Sequence, residues 1–199
     1  MKRRWRHESI QVFKKIGHSK TVHVGNYMVL LGLRDRRDKP HMNNYTLSSF
    51  KLHKLMYYVE GLAYVRLGRG LVDDVFQRSI YSVYVPSLST EWRSTGQLDL
   101  LLHLEWRYWN EYNDKFLPHF LLSDEEKAVI QEVWEAFRGV SQWTIAESIQ
   151  MEPPHQKTVE REKAEGIDSF LTFDKSDIEE YFLSLGLTDE PLSKQIRVY

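Results

Sequence analysis

The spacing of apolar residues along the chain changes about a quarter of the way from its start. In the first part, Val22 and Val24 alternate with polar residues at the two-residue period of a half-buried strand, and residues 27–33 form a more continuous apolar stretch. Pro40 and the asparagines that follow it are typical of a loop. We therefore expect a β-rich segment over residues 1–44.

Beyond this segment, apolar residues recur every three or four positions, which is the period of one face of a helix. Ser48 or Ser49 is a favourable N-cap residue, and Gly68 or Gly70 can end the helix after the last apolar position. A helix over residues 49–67 is therefore predicted. Its core-facing positions are Leu52, Leu55, Met56, Val59, Leu62, Ala63 and Leu67.

The rest of the chain carries several more helical signals and one β-like stretch. Ser123 and Glu126 form a capping box before a helical apolar pattern that runs to Phe137. β-Branched and aromatic residues indicate short strands around residues 76–84. The other predicted helices cover residues 86–92, 97–112 and 141–150 and a last stretch from Ser176. The polar segment 156–166 is expected to be a helix end or a loop.

These signals together predict a mainly α fold (α+β). A helical domain with a small β element is expected over residues 45–187. The short β-rich segment of residues 1–44 precedes it, and residues 188–199 form a C-terminal tail that is expected to be extended. A chain of 199 residues suffices for one domain with such an appendage.

Charge is distributed unevenly, although the whole chain has a formal net charge of -1. Residues 1–40 carry 11 Lys or Arg against three Asp or Glu, whereas residues 121–199 carry 8 basic and 17 acidic residues. Basic residues near Trp5 suit contact with nucleic acid, but no nucleic-acid-binding motif accompanies them, so an arm that faces solvent or a protein partner is favoured. The alternative, a nucleic-acid-binding regulator, would use Lys2, Arg3, Arg4, Arg6, Arg34, Arg36 and Arg37.

The composition and motifs argue against several classes of protein. The chain has no cysteine, which excludes disulfide scaffolds, thiol nucleophiles and cysteine-ligated zinc. Its eight histidines lack the spacing of a zinc site, and neither a phosphate-binding glycine loop nor a hydrolase nucleophile motif is present. We expect no metal, no cofactor and no membrane span, and a cytoplasmic location. Asp73 and Asp74 are a minor candidate for acid–base chemistry, because a bare carboxylate pair in a turn is usually only solvated.

The aromatic residues are a more informative feature than the ionisable ones. Trp106, Tyr108 and Trp109 lie close together in a predicted helix, where consecutive residues point about 100° apart. At least one of these rings is therefore expected to face outward. Exposed Trp, Tyr and Arg residues dominate binding hot spots, so the sequence favours a protein-binding module over an enzyme.

The helix predicted at 49–67 also carries a family resemblance. Residues 51–61 read KLHKLMYYVEG, which resembles the KLQKLLYYAQG helix typical of the Panacea (SocA-like) antitoxin domain. The chain departs from the family where Ser82-Val83 replaces Gly-Pro, where Arg78-Ser79 replaces Ala-Trp, and where His155 replaces Trp. The resemblance covers about residues 45–185, and the other similar segments are Gly70–Asp74, Tyr81–Leu88, Leu122–Lys127, Ser141–Trp143, Glu152–His155 and Ile178–Phe182.

This resemblance implies an antitoxin. Panacea proteins neutralise protein toxins by direct binding, often in prophages, and one member delivers its toxin to the ClpXP protease. The expected partner is therefore a toxin that a neighbouring gene encodes in a bacterial or prophage toxin–antitoxin system, with delivery to ClpXP as an alternative. The sequence leaves the formation of a homo-oligomer open.

Eight residues are candidates for contact with that partner. Core packing is an equally open role for Tyr57, Trp106 and Trp143, because aromatic residues on a helix are often buried. The eight candidates are Lys51, Lys54, Tyr57, Tyr58, Trp106, Trp109, Trp143 and His155.

Overall fold

A computed structural model describes residues 19–38, 47–88, 122–166 and 170–196. Most of these residues are helical, and a two-stranded antiparallel sheet accompanies the helices, so the predicted mainly α fold with a small β element is confirmed. The helices are α1 (Lys20–Asp38), α2 (Ser49–Leu67), α3 (Asp124–Phe137), α4 (Gln142–Met151), α5 (Pro153–Glu165), α6 (Lys175–Ser184) and α7 (Leu192–Gln195), and the strands are β1 (Gln77–Ser79) and β2 (Ser82–Tyr84).

The strands predicted between residues 22 and 33 are wrong, because this stretch belongs to α1. The carboxylate of Asp73, in the loop after α2, caps α1 by accepting hydrogen bonds from the backbone N–H groups of Lys20 (2.9 Å) and Thr21 (2.8 Å). The apolar side chains of α1 between Val22 and Leu31 are buried, and the helix packs against α2 and α3. These tertiary contacts override the β-like spacing. Residues 1–18 and the predicted boundary at residue 44 lie outside the described residues.

The helix predicted at 49–67 is confirmed as α2 and lies at the centre of the fold. Ser48 caps its first turn, and Gly68 ends it in the left-handed conformation (φ 65°). Every residue from Lys51 to Ala63 is buried, because α1, α3, α4, α6 and β2 all pack against this helix. The sequence predicted that only one apolar face of this helix is buried. The structure instead buries all of its sides between these residues.

Helix α6 approaches α2 more closely than a side chain at the contact would allow. A Cβ atom placed on Gly61 would lie 2.2 Å from the nearest ring carbon of Phe182. Any larger residue at this position must therefore push the two helices apart, which links the last long helix of the described chain directly to the central one.

The helices after residue 122 follow the sequence prediction closely. The predicted capping box of Ser123 and Glu126 begins α3, and the predicted N-cap Ser141 begins α4. The polar segment at 156–166 is mostly part of α5 and not a loop. The reason lies in Pro153, which starts this helix at a position where proline's missing N–H is not needed.

The C-terminal region requires two smaller corrections. Asp174, and not Ser176, is the N-cap of α6, since its carboxylate accepts a hydrogen bond (3.0 Å) from the backbone N–H of Ser176. The tail predicted at 188–199 is not wholly extended, because it contains the short helix α7. Burial of Leu192 against the core holds this last turn in place.

The strands predicted around residues 76–84 are confirmed as an antiparallel hairpin. Its two-residue tip, Ile80 and Tyr81, is 64% and 50% exposed. The outer edge of β1 is paired as well, because the backbone N–H of Arg78 donates to the carbonyl oxygen of Leu171 (2.8 Å). The body of the hairpin is thus held on both sides while its tip stays accessible.

Ser82, directly after the tip, has a strained backbone. Its φ of 108° lies in the region that favours glycine, and no other non-glycine residue of the described chain has a positive φ. Its side chain is fully buried, and the hydroxyl has no hydrogen-bond partner among the described residues. This chain therefore keeps the turn at a cost of roughly 1–3 kcal/mol.

We expect Ser82→Gly to raise the free energy of unfolding by about 1 kcal/mol. Glycine removes the strain and the unpaired hydroxyl, and its greater chain entropy offsets only part of that gain. Ser82→Val is the matched control and should destabilise the protein, because a β-branched residue tolerates positive φ least. Urea unfolding at neutral pH measures both variants, and a less stable Ser82→Gly protein would contradict the interpretation.

Candidate partner-binding site

The buried polar residues of α2 bond to several neighbouring segments, and Lys51 holds the turn between α3 and α4. Its Nζ donates to the carbonyl oxygens of Arg138 and Val140, both at 2.8 Å. Carbonyl groups at the end of a helix lack partners within the helix, so a buried ammonium group satisfies them well. Burial lowers the pKa of Lys51 to about 8.

Lys54 and His53 hold strand β2 against the same helix. Nζ of Lys54 donates to the carbonyl oxygen of Val83 (2.9 Å) and lies 3.8 Å from the ring centre of Phe50. Nδ1 of His53 accepts a hydrogen bond from the backbone N–H of Val85 (3.2 Å). Burial lowers the pKa of Lys54 to about 8, and burial with the nearby Lys54 charge lowers the pKa of His53 to about 4.

Glu60 organises the loop that follows α2. Its carboxylate is fully buried and accepts hydrogen bonds from the backbone N–H groups of Leu71 and Val72, both at 2.7 Å. Nζ of Lys175, at the start of α6, forms an ion pair with it at 3.1 Å. Removing either charged partner of such a pair would leave an uncompensated charge in the core, so the loop and α6 depend on Glu60 and Lys175 together.

Tyr57 and Tyr58 bind one buried carboxylate at the junction of α4 and α5. Their hydroxyl groups donate to the two oxygens of Glu152, at 2.6 and 2.9 Å. Burial raises the pKa of Glu152 to about 7, although both hydrogen bonds favour its charged form. Burial, with the nearby Glu152 carboxylate, raises the pKa of both tyrosines well above the usual range.

His155, one residue beyond Pro154 in α5, is also part of the core. It is 6% exposed, and neither ring nitrogen has a hydrogen-bond partner among the described residues. Its ring centre lies 5.8 Å from that of Phe173. Burial, together with the nearby Arg78 guanidinium, lowers the pKa of His155 to about 4, so the ring is neutral at physiological pH.

The prediction of direct partner contact therefore needs correction for most of its residues. Because α2 is surrounded by other elements, it has almost no exposed surface between Lys51 and Ala63, and its side chains pack and bond within the protein. Trp143, by contrast, is 52% exposed in the first turn of α4, and its role in binding stays a prediction. Trp106 and Trp109 lie outside the described residues. The candidates that are buried and not available for contact in this structure are Lys51, Lys54, Tyr57, Tyr58 and His155.

Trp143 belongs to a surface group of three rings, Phe50, Tyr81 and Trp143, which we call the aromatic cluster. The distances between ring centres are 4.8 Å for Phe50–Trp143, 5.7 Å for Tyr81–Trp143 and 5.8 Å for Phe50–Tyr81. The three residues come from the start of α2, the hairpin tip and the start of α4. Sequence reasoning missed Phe50 and Tyr81, because it placed no turn within the strands predicted around residues 76–84.

The spacing of these rings shows what kind of contact they suit. Rings in edge-to-face or tilted contact at such distances pack directly on one another. They leave no room for a cation between opposing faces, as an aromatic cage for a methylated ammonium group would need. The aromatic cluster is therefore a packed apolar surface with half-exposed Tyr81 and Trp143, and not a small-molecule pocket.

The carboxylate pair considered for acid–base chemistry is engaged in local structure. Asp73 caps α1, and hydrogen bonds from Thr21 and Lys20 lower its pKa even though burial acts in the opposite direction. Asp74 accepts hydrogen bonds from the backbone N–H groups of Val75 (2.7 Å) and Ser87 (2.8 Å). Both carboxylates therefore accept hydrogen bonds from backbone N–H groups of neighbouring segments.

The basic residues of the nucleic-acid alternative are described only in part. Arg34, Arg36 and Arg37 lie in the last turns of α1, whereas Lys2, Arg3, Arg4 and Arg6 lie outside the described residues. Within the described ranges, no group of His, Asp and Glu residues could hold a metal ion, and no helix is long and apolar enough to cross a membrane.

One comparison with known proteins gives a result. A family model described as "Antitoxin SocA-like, Panacea domain" matches residues 52–155, which is just over half of the chain. The matched region begins in the first turn of α2, includes the hairpin and ends at His155. Comparisons with curated proteins and with solved structures found no match.

The buried ionisable groups predict a specific acid sensitivity. Between pH 6.5 and 4.5, unfolding takes up a proton at His53 and at His155, whose folded pKa values are about 4, and releases one from Glu152, whose folded pKa is about 7. These three groups together give a net uptake of one proton, so they contribute a fall of roughly 1.4 kcal/mol in the free energy of unfolding for each unit of acidification.

Two variants separate these contributions. Glu152→Gln removes the opposing proton release, so its free energy of unfolding should fall more steeply than that of the wild type, by roughly 1.4 kcal/mol per pH unit. His155→Phe removes one proton uptake and should make the fall less steep by a similar amount. Urea unfolding at several pH values from 4.5 to 6.5 measures the slopes, and equal slopes for all three proteins would contradict the assignment.

Proposed function

Because the chain belongs to the Antitoxin SocA-like, Panacea domain family, we propose that it is an antitoxin that binds a cognate protein toxin and blocks the toxin's active surface. The match over residues 52–155 carries this proposal. The matched region includes most of the central helix and all of the hairpin that its buried lysine holds, so the part of the chain with the family signature is also the part that organises the fold.

A binding role fits the described ionisable groups better than an enzymatic one. Glu152 and His155 have pKa values shifted by burial, but both are covered by the core and have no path to a substrate in this structure. Asp73 and Asp74 bond to backbone N–H groups. A general acid or base must reach the proton that it transfers, so we propose that the protein acts by contact alone.

The charge of the C-terminal half supports the same mechanism. Residues 121–199 carry 17 acidic against 8 basic residues. Toxins that act on RNA or nucleotides need basic sites, and an acidic partner would be steered to such a site and would cover it. We propose occlusion of this kind, in the cytoplasm of a bacterium, against a toxin encoded next to this chain in the genome or in a prophage.

Co-expression with the neighbouring gene tests the proposal. We expect the neighbour alone to stop growth and the full-length chain to restore it. The matched control is Gly61→Leu, whose side chain would overlap the ring of Phe182 and disrupt the packing of α6 on α2. A neighbour that is harmless alone, or that stays toxic beside the wild-type chain, would contradict the antitoxin function.

The same assay separates occlusion from delivery to a protease. Occlusion predicts that growth is restored equally in a strain without ClpXP and that the amount of toxin protein does not fall. Rescue that is lost in that strain, together with toxin that disappears only when ClpXP is present, would contradict occlusion and support the proteolytic adaptor alternative.

A further inference from the structure

We infer that the aromatic cluster and the exposed residues beside it anchor the toxin, and that they accept a basic toxin segment with an apolar side chain at its centre. This inference rests on the proposed antitoxin function. The residues beside the cluster are Ile80 at the hairpin tip and Glu147 on α4, one helical turn after Trp143 and therefore on the same face of that helix.

The distribution of exposed apolar side chains points to this surface. Tyr81 and Trp143 are each about half exposed and contact each other, and Ile80 beside them is 64% exposed. Single exposed apolar residues are normal on a protein, whereas a contiguous group of them marks an interaction site. Phe170, another exposed ring of the described chain, is instead covered on one face by the guanidinium of Arg78 at 4.6 Å.

The aromatic cluster is also held in a fixed arrangement before any partner binds. Lys54 bonds to β2 next to the hairpin tip and lies under the ring of Phe50, and Lys51 bonds to the turn that leads into Trp143. The two buried lysines thus fix the two segments that present the exposed rings. A preformed contact surface loses little conformational entropy on binding, which is a property of strong anchor residues.

Charge identifies the kind of partner. Glu147 is exposed and forms no ion pair with any described residue, so its carboxylate is available to a basic group. A second copy of this chain would bring another Glu147 to a two-fold symmetric contact, and the two like charges would repel. A basic partner avoids that cost. The cognate toxin, which the proposed mechanism requires to be basic, is therefore the favoured occupant.

The experiment measures binding of the full-length chain to the purified product of the neighbouring gene. We expect Trp143→Ala and Ile80→Asp each to weaken binding by about 30-fold or more, which is typical of an anchor residue. Leu183→Ala, on α6 and similarly exposed at 54%, is the matched control and should change the dissociation constant by less than about threefold.

Charge reversal tests the basic character of the bound segment. We expect Glu147→Lys to slow association by about tenfold at low ionic strength and to have a smaller effect in high salt, because the interaction is electrostatic. Glu160→Lys, exposed on α5 and also without an ion pair among the described residues, is the matched control and should leave the association rate almost unchanged.

The possible outcomes distinguish a failure of this inference from a failure of the proposed antitoxin function. If the wild-type chain neutralises the toxin but Trp143→Ala and Ile80→Asp bind it as tightly as the control does, the surface is wrong and the antitoxin function stands. If the wild type binds no toxin, both fail. Circular dichroism of each variant is the check that it is folded, and Ile80→Asp changes only a side chain at the hairpin tip. Sedimentation of the free chain as a dimer that Ile80→Asp dissociates would assign the surface to a second copy and overturn the inference.

Discussion

A polar group that is buried without a hydrogen-bond partner costs roughly 1–3 kcal/mol, and more when it is charged. This constraint acts on α2 along most of its length, because the helix is covered on every side and still carries two lysines and a glutamate in its buried stretch. Each charged group finds its partners in another segment. Lys51 bonds to the α3–α4 turn, Lys54 to the hairpin and Glu60 to the loop after α2 and to α6. The helix therefore positions irregular segments as well as packing against regular ones.

The exposed surface is a consequence of these internal bonds. Tyr81 lies at the end of the hairpin that Lys54 holds, and Trp143 follows the turn that Lys51 holds, so two buried cations place two exposed rings at contact distance. Lys51 and Lys54, which the sequence suggested as contact residues, thus act from inside the protein. The strained turn at Ser82 belongs to the same arrangement, since it shapes the tip that presents Tyr81.

Local signals were sufficient to predict most of the helices but not the site. The capping box at Ser123 and the cap at Ser141 lie next to the helices they begin, so both could be read from a few adjacent residues. Helix α1 was missed because Val22 and Val24 follow the two-residue period of a strand, and because part of its cap, Asp73, is more than 50 residues away in the sequence. Burial of Lys51 and Lys54 was missed because helical periodicity assumes one solvent face. The aromatic cluster joins three separate elements, and no spacing within the sequence brings Phe50 to Trp143.

The central claim is that α2 holds a surface formed by the hairpin tip and the start of α4, and that the toxin binds there. Hydrogen exchange of the full chain, with and without the purified product of the neighbouring gene, tests this most directly. Bound toxin should slow amide exchange in residues 80–82 and in the first turn of α4. The amides of Leu71 and Val72, already bonded to Glu60, should exchange at the same rate in both states. Slowing confined to other segments, with the hairpin tip and α4 unchanged, would contradict the account.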